Sequence, residues 1–301
     1  MAINPTPEPP PLPEPPATVG TIDPAATVSR PRRWAVRSLK ALGILLGSWL
    51  LSAYLVLPAL WRHYEHHPAL AAAPKTTLTS QGIPGDPLNV GLLGDEGDVV
   101  RSMLAAGWSP ADPITLKSSL RIAESVIFRR PDPDAPVSNL YLFGRRQDLA
   151  FEKPVGGDAR RRHHVRYWKS AELGEAGIPL FLGSATFDVS VGLSRDTGQV
   201  THHIAPDIDA QRDGLIADLT GAGRLTRVYQ VTGVGATLFG RNGEGDPYDT
   251  DGELTVGVLA AGPAGGGPPE RLPNPTLVRW KAQLWVAIRP FLGGASRRPR
   301  P

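Results

Sequence analysis

The chain has no cysteine. That excludes disulfides, thiolate metal ligands and a cysteine nucleophile. It does not choose a side of a membrane, because cysteine-free chains occur in either redox compartment. Several sharp motifs are also missing. There is no phosphate-binding P-loop, no G-x-G-x-x-G after a strand, no G-x-S-x-G elbow and no H-E-x-x-H. Gly192-Leu193-Ser194 opens like an elbow, but the closing glycine is absent. A large excess of one charge is lacking too: 32 Lys and Arg stand against 29 Asp and Glu. The basic residues cluster partly at the two ends, so no nucleic-acid partner is needed to explain the charge.

One long apolar run is present. Ala41 to Trp61 carries no charge and is long enough to cross the hydrocarbon core of a bilayer as a helix. Arg30, Arg32, Arg33, Arg37 and Lys40 precede it with no acid among them. A cleaved signal peptide would want an apolar region of roughly 7–15 residues, and a core helix is seldom apolar all round. The reading is an uncleaved signal-anchor, its basic flank cytoplasmic and its body exported. The resulting organisation is a proline-rich, disordered tail with its basic flank over 1–40, a transmembrane helix over 41–61 and a linker over 62–85. A folded domain over 86–262 follows, then a linker over 263–275, an amphipathic helix over 276–293 and a basic tail over 294–301.

Within the body, the pattern predicts a strand over Pro87–Gly94 and a helix over Asp95–Trp108 with Asp95 as its cap. A second helix is predicted over Ile114–Arg129. From Val137 the apolar period shifts towards two. Strands are predicted over Leu140–Phe143, Arg161–Lys169, Leu180–Leu193, Val200–Ile204, Arg224–Val231 and Leu254–Leu259, with a helix over Asp207–Leu219. Strands predominate and helices come in blocks. The fold class is therefore α+β with a mainly antiparallel sheet. The closing helix has an apolar stripe of Leu277, Trp280, Leu284, Trp285, Ile288 and Phe291. It either rests on anionic lipid or packs back on the body.

Two histidine pairs carry the candidate chemistry. On a strand, His164, Arg166 and Trp168 share one face. A hairpin through 171–177 that set Ser170 against Ile178 would bring Arg162 near Thr186 and His164 near Ser184, with Asp188 one pair further along. Such a face binds a phosphate or carboxylate, or is an ordinary solvated face of mixed charge. The candidate ligand-binding set is Arg162, His164, Arg166 and Asp188. The second pair lies in the run from Thr201 to Asp213. His202, His203, Asp207 and Asp209 are residue types that ligate a divalent metal. His203, Asp209 and Asp213 are the candidate acid–base residues. The competing reading is that Asp207 or Asp209 caps the helix and that His202 belongs to the core. The acidic, glycine-rich stretch Gly240–Glu253 fails as a calcium loop, with Pro247 and Val258 where ligands are required. It reads as a surface turn.

Six stretches together resemble the LssY C-terminal-like domain of bacterial membrane proteins: Ala111–Leu116, Ala135–Pro154, Arg160–Trp168, Ala185–Asp188, Gly192–Ser194 and His202–Asp213. The resemblance covers about residues 86–260. The resemblance implies a bacterial envelope protein and brings no activity, ligand or catalytic residue. Longer relatives join the domain to multi-span modules resembling lipid-phosphate phosphatases or DedA-type proteins. This chain has none of those phosphatase motifs. The leading expectation is an inner-membrane, single-pass protein. Its exported domain would bind a lipid head group or an envelope membrane-protein partner. The alternative is a metal-assisted hydrolase of a phosphorylated or lipidic envelope substrate.

Overall fold

In the computed structural model of the chain, residues 29–58, 70, 73–111, 139–156, 161–193, 200–232, 238–262 and 267–296 are described. The proline-rich tail before residue 29 and the helix predicted over Ile114–Arg129 lie outside them. Residues 1–58 and 59–301 are separate compact units.

The first unit contains helix α1, Ser29–Leu51, which continues into a wider π-helical turn over Ser52–Val56. The segment Arg33–Val56 is long and apolar enough to cross a membrane. The helix therefore starts well before the uncharged run and takes in Arg33, Arg37 and Lys40. Its large apolar side chains, Leu42, Leu45 and Trp49 among them, are exposed.

The second unit is α+β, and its sheets are mostly antiparallel. The strands are β1 (Thr76–Leu78), β2 (Pro84–Pro87), β3 (Val90–Leu93), β4 (Ser109–Pro110), β5 (Tyr141–Leu142), β6 (Arg145–Arg146), β7 (Leu149–Pro154) and β8 (Arg162–Leu173). They continue with β9 (Pro179–Leu193), β10 (Val200–Ile204), β11 (Leu225–Thr232), β12 (Phe239–Arg241), β13 (Pro247–Asp249), β14 (Glu253–Leu259) and β15 (Glu270–Arg271). The helices are α2 (Glu96–Ala105), α3 (Ile208–Gly221) and α4 (Thr276–Ser296). The main sheet runs β15-β11-β14-β3-β9-β8-β7-β4, with β10 paired to β9. Only β14–β3 and β11–β15 are parallel within it. A second sheet runs β2-β1-β5-β6. Both expected linkers thus contribute strands: β1 and part of β2 come from 62–85, and β15 from 263–275.

The main sheet is covered on both faces. On one, Val99, Val100 and Met103 of α2 and Leu215, Ile216 and Leu219 of α3 meet Phe151, Val165, Tyr167 and Phe181. These are the helix positions that the 3.6-residue period picks out. Asp95 caps α2, accepting a hydrogen bond from the Asp98 amide at 2.6 Å. On the other face Trp168, Leu180 and Leu182 pack with Leu142 of β5 in the small sheet and with Leu140 just before it. Two residues hold the pairing tightly. Gly183 lies opposite Tyr167, and a Cβ there would come within 2.6 Å of the tyrosine ring and 2.8 Å of Val90. Asn89 is buried between β2 and β3. Its amide nitrogen donates to the carbonyls of Ala185 (2.9 Å) and Ile208 (3.1 Å), and its oxygen accepts from the Ala185 amide (2.9 Å). One side chain thus ties β9 to the first turn of α3.

Replacing Asn89 with alanine removes three buried hydrogen bonds and takes this partner from both the amide and the carbonyl of Ala185. The expected loss is about 2–4 kcal/mol, read as a lower unfolding midpoint of the full chain in denaturant.

Candidate functional site

Strand β8 splits its side chains between two environments. His163, Val165 and Tyr167 turn to the helices; the His163 Nδ1 lies 2.7 Å from the Gln211 Oε1 on α3. Arg162, His164 and Arg166 turn to the other face, in line with Trp168. In β9 that face carries Leu180 and Leu182, then Ser184, Thr186 and Asp188. Along the ladder an apolar row therefore becomes an ionic one.

The register differs from the expected one by two residues. Arg162 faces Asp188, His164 faces Thr186 and Arg166 faces Ser184. The cause is a tighter turn: the Gly174 amide donates to the Ile178 carbonyl at 2.8 Å, and the ladder shifts between Lys169 and Leu173. A shift of two keeps every side chain on its face, where a shift of one would have inverted all of them. The expected group therefore assembles with different neighbours. The face is not solvated: His164 is 1 % exposed and Asp188 2 %.

Arg162 is the hub of the row. Its guanidinium bonds Glu152 of β7 at 2.9 Å and Asp188 at 3.3 Å. It also lies 3.1 Å from the Nε2 of His202 on β10. A guanidinium only donates, so this Nε2 is the acceptor and the proton sits on Nδ1, 3.4 Å from Asp188. Arg166 pairs with Asp86 of β2 at 3.5 Å, and Asp86 accepts from Asn242 at 3.3 Å. Asp188 also lies 3.6 Å from the Nδ1 of His164. Among the described residues, neither ring nitrogen of His164 has a hydrogen-bond partner, nor do the hydroxyls of Ser184 and Thr186. Buried polar atoms are normally paired, so these four, with the Nδ1 of His202 as a fifth, mark this row.

Burial sets the protonation states. It lowers His164 well below the ordinary imidazole range, and Arg166 and Arg162 lower it further. Burial and then Arg162 depress His202 to about 4. Burial raises the carboxyls of Asp188 and Asp86, against the pull of nearby arginines. Both imidazoles are neutral at pH 7.

The candidate metal and acid–base set is not gathered. His202 belongs to the ionic row. His203 points away from it, to Asp246 in the β12–β13 turn, at 2.8 Å. Asp207 caps α3, accepting from the Ala210 amide, and pairs with Arg289 of α4 at 2.8 Å. Asp209 accepts from the Thr250 hydroxyl and the Asp251 amide, both at 2.7 Å, and from Arg212 at 3.3 Å. Burial pushes its carboxyl up to about 6, Arg212 opposing. Asp213 is exposed and accepts from Arg212 at 2.8 Å. Asp209 and Asp213, with Asp251, pair with the buried Arg212, and Asp209 stitches α3 to the chain before β14. Among the described residues no group of three His, Asp or Glu is placed to hold a metal ion. In the ionic row itself the guanidinium of Arg162 already lies against Glu152, Asp188 and His202, and its like charge opposes a cation there.

Glu152, Asp86 and Asn242 were not among the expected residues. The alternation of Leu149 and Phe151 could have flagged β7, although the segment ends at a proline. Asp86 and Asn242 join the row only through the fold. The Gly240–Glu253 stretch is correspondingly more than a surface turn: Asn242 and Asp246 reach the row and its neighbour His203.

The geometry defines a class of protein: an α+β domain with a two-faced sheet and a buried ionic row on the face away from its helices. The family follows from comparison. The model of the LssY C-terminus family matches residues 70–254, more than half of the chain, and the chain belongs to that family. The matched region contains the whole row and ends before α4. No curated protein and no solved structure matches the chain.

The depressed His202 gives a pH prediction. The unfolded imidazole takes up a proton near pH 6.5 and the folded one only near 4. His202 therefore costs no stability above about 6.5, and stability is lost progressively as pH falls from there towards 4. Asp86 and Asp188, with raised carboxyls, act in the opposite sense. The difference between wild type and His202→Gln isolates the histidine: the variant should lose less stability over this interval in unfolding midpoints measured against pH.

Proposed function

We propose that this chain is a single-pass membrane protein of the bacterial envelope whose exported domain binds the phosphate of a lipid head group. The carrying observation is the set of four unpartnered polar atoms on His164, Ser184 and Thr186 beside the guanidiniums of Arg162 and Arg166. All three side chains can donate a hydrogen bond, and guanidiniums donate in a fork that suits oxyanions. An oxyanion takes those donors at once, where a metal ion would meet a guanidinium. The carboxylates of Glu152, Asp188 and Asp86 hold the arginines in place. A bound anion would also favour the protonated form of His164. Next to the row on β10, the His203 side chain is 31 % exposed, against 1 % for His164. The candidate span and the basic residues before it support a cytoplasmic N-terminus and an exported body.

The test uses the full chain in lipid nanodiscs. Inorganic phosphate, or phosphatidic acid in the disc, should raise the unfolding midpoint, whereas phosphatidylcholine discs without phosphate should not. The two arms separate free phosphate from a head group. Ser184→Ala and Thr186→Val remove hydroxyls that have no partner. Each should leave ligand-free stability unchanged or raise it by up to about 1 kcal/mol, and each should weaken phosphate binding by about tenfold, roughly 1.4 kcal/mol. A folded wild type that responds to neither source of phosphate rules the reading out.

Topology has its own test. A reporter fused after Pro301 that is active only outside the cytoplasm should be active. Activity of a cytoplasm-only reporter at the same position would overturn the exported body.

A further inference from the structure

Helix α4 lies beyond the family-matched region and is amphipathic in two separate directions. One direction faces the body. Val278 and Trp285 are buried, and the Trp285 ring meets Phe239 edge-on at 4.9 Å. Lys281 pairs with the buried Glu253, and Arg289 with Asp207 and Asp249. These residues lie at i, i+3, i+7 and i+11 from Val278, on one side of the helix. They fix its rotation.

The second direction is a stripe of Leu277, Trp280, Leu284, Ile288 and Phe291, also at helical spacing. All five are exposed, Trp280 at 63 % and Phe291 at 86 %. The stripe runs about 21 Å along the helix and contains no charged residue. Rotation cannot hide it, because that would break three ion pairs and expose Trp285.

We infer that α4 lies in the plane of the bilayer interface, with this stripe among the acyl chains. Two observations choose lipid as the occupant. The first is charge: from Arg271 to Pro301 the chain has 7 Lys and Arg and no acid, which suits an anionic lipid surface. Lys281 and Arg289 are spent on the body, so Arg279 and the arginines after α4 provide the attraction. The second is the tether. The 17 residues from 59 to 75 separate the end of the membrane-spanning segment's helix from β1. At full extension they reach at most about 60 Å, so the body stays near the membrane that α1 crosses. The inference rests on the anchoring reading of α1 and is independent of the ionic row.

The absence of cysteine makes the test clean. Single cysteines are introduced as Leu284→Cys, Phe291→Cys and Val286→Cys, the last on the opposite flank of the helix and 71 % exposed. None removes a side chain that the body holds. Each spin-labelled full chain is reconstituted into phosphatidylethanolamine–phosphatidylglycerol vesicles, and its accessibility to oxygen and to a water-soluble nickel complex is measured. At 284 and 291 the labels should favour oxygen and report a depth of about 5–10 Å; the label at 286 should favour nickel. Labels at 284 and 291 that favour nickel overturn the inference. So do labels shielded from both reagents with spin–spin broadening, which would make the stripe a contact between copies. Flotation with the vesicles is scored first. A chain that fails to float overturns the anchor and this inference together, while one that floats with nickel-accessible labels overturns the inference alone.

Discussion

Strands β8 and β9 pair over most of their length, and the rest of the domain is arranged around that ladder. Its register places Arg162 against Asp188 and Tyr167 against Gly183. One face is mainly apolar, with His163 bonded to Gln211 of α3, and takes the helices. The other is apolar where the small sheet covers it and ionic beyond. Strands β7 and β10 flank the pair and add Glu152 and His202 to the ionic end, and β2 brings Asp86. Asn89 then fixes the sheet to α3. Changing the register by one residue would bury charge under the helices and expose the core, so the ladder is held by both faces at once.

The ionic row is an expensive arrangement. Two guanidiniums and three carboxyls are withdrawn from water, and burial alone would oppose their charges. Mutual pairing offsets this cost for Arg162. It does nothing for His164, Ser184 and Thr186, which keep unspent hydrogen-bonding capacity. Replacing such a row with apolar residues of similar volume is commonly neutral or stabilising for a fold. Retaining it is easier to understand when the spare donors have an external use, and that is the sense of an oxyanion site. The His202–Asp246 neighbourhood is its more open end, formed by a turn whose acidity first reads as solvation.

Helix α4 shows a different balance. Its cations are used inward, on Glu253, Asp207 and Asp249, and its aromatic and aliphatic stripe faces outward. An isolated amphipathic helix on a membrane usually does the reverse. Here the body holds the helix and the helix presents the stripe, so a lipid contact would orient the domain as well as retain it.

Much of this domain was legible in the sequence, because periodicity is a local signal. The apolar helix long enough to cross a membrane, the two body helices α2 and α3 with their inward positions, the Asp95 cap and the alternation in β9 all follow from residues within a few positions of each other. Parity along β8 and β9 was enough to put Arg162, His164, Arg166 and Asp188 on one face, even with the register two residues out. Local pattern did not reveal whether that face was wet, and it suggested a convergence of His202, His203, Asp207, Asp209 and Asp213 that does not occur. Neighbours on a strand alternate sides, and helix-cap carboxylates are taken by amides and by Arg212. The contributions of Asp86, Glu152 and Asn242 come from positions far apart in the chain. The sequence by itself determined which side chains share a face, since that depends only on backbone period. Only the tertiary structure decided which face is buried and which charges meet, since those depend on what the chain folds over it.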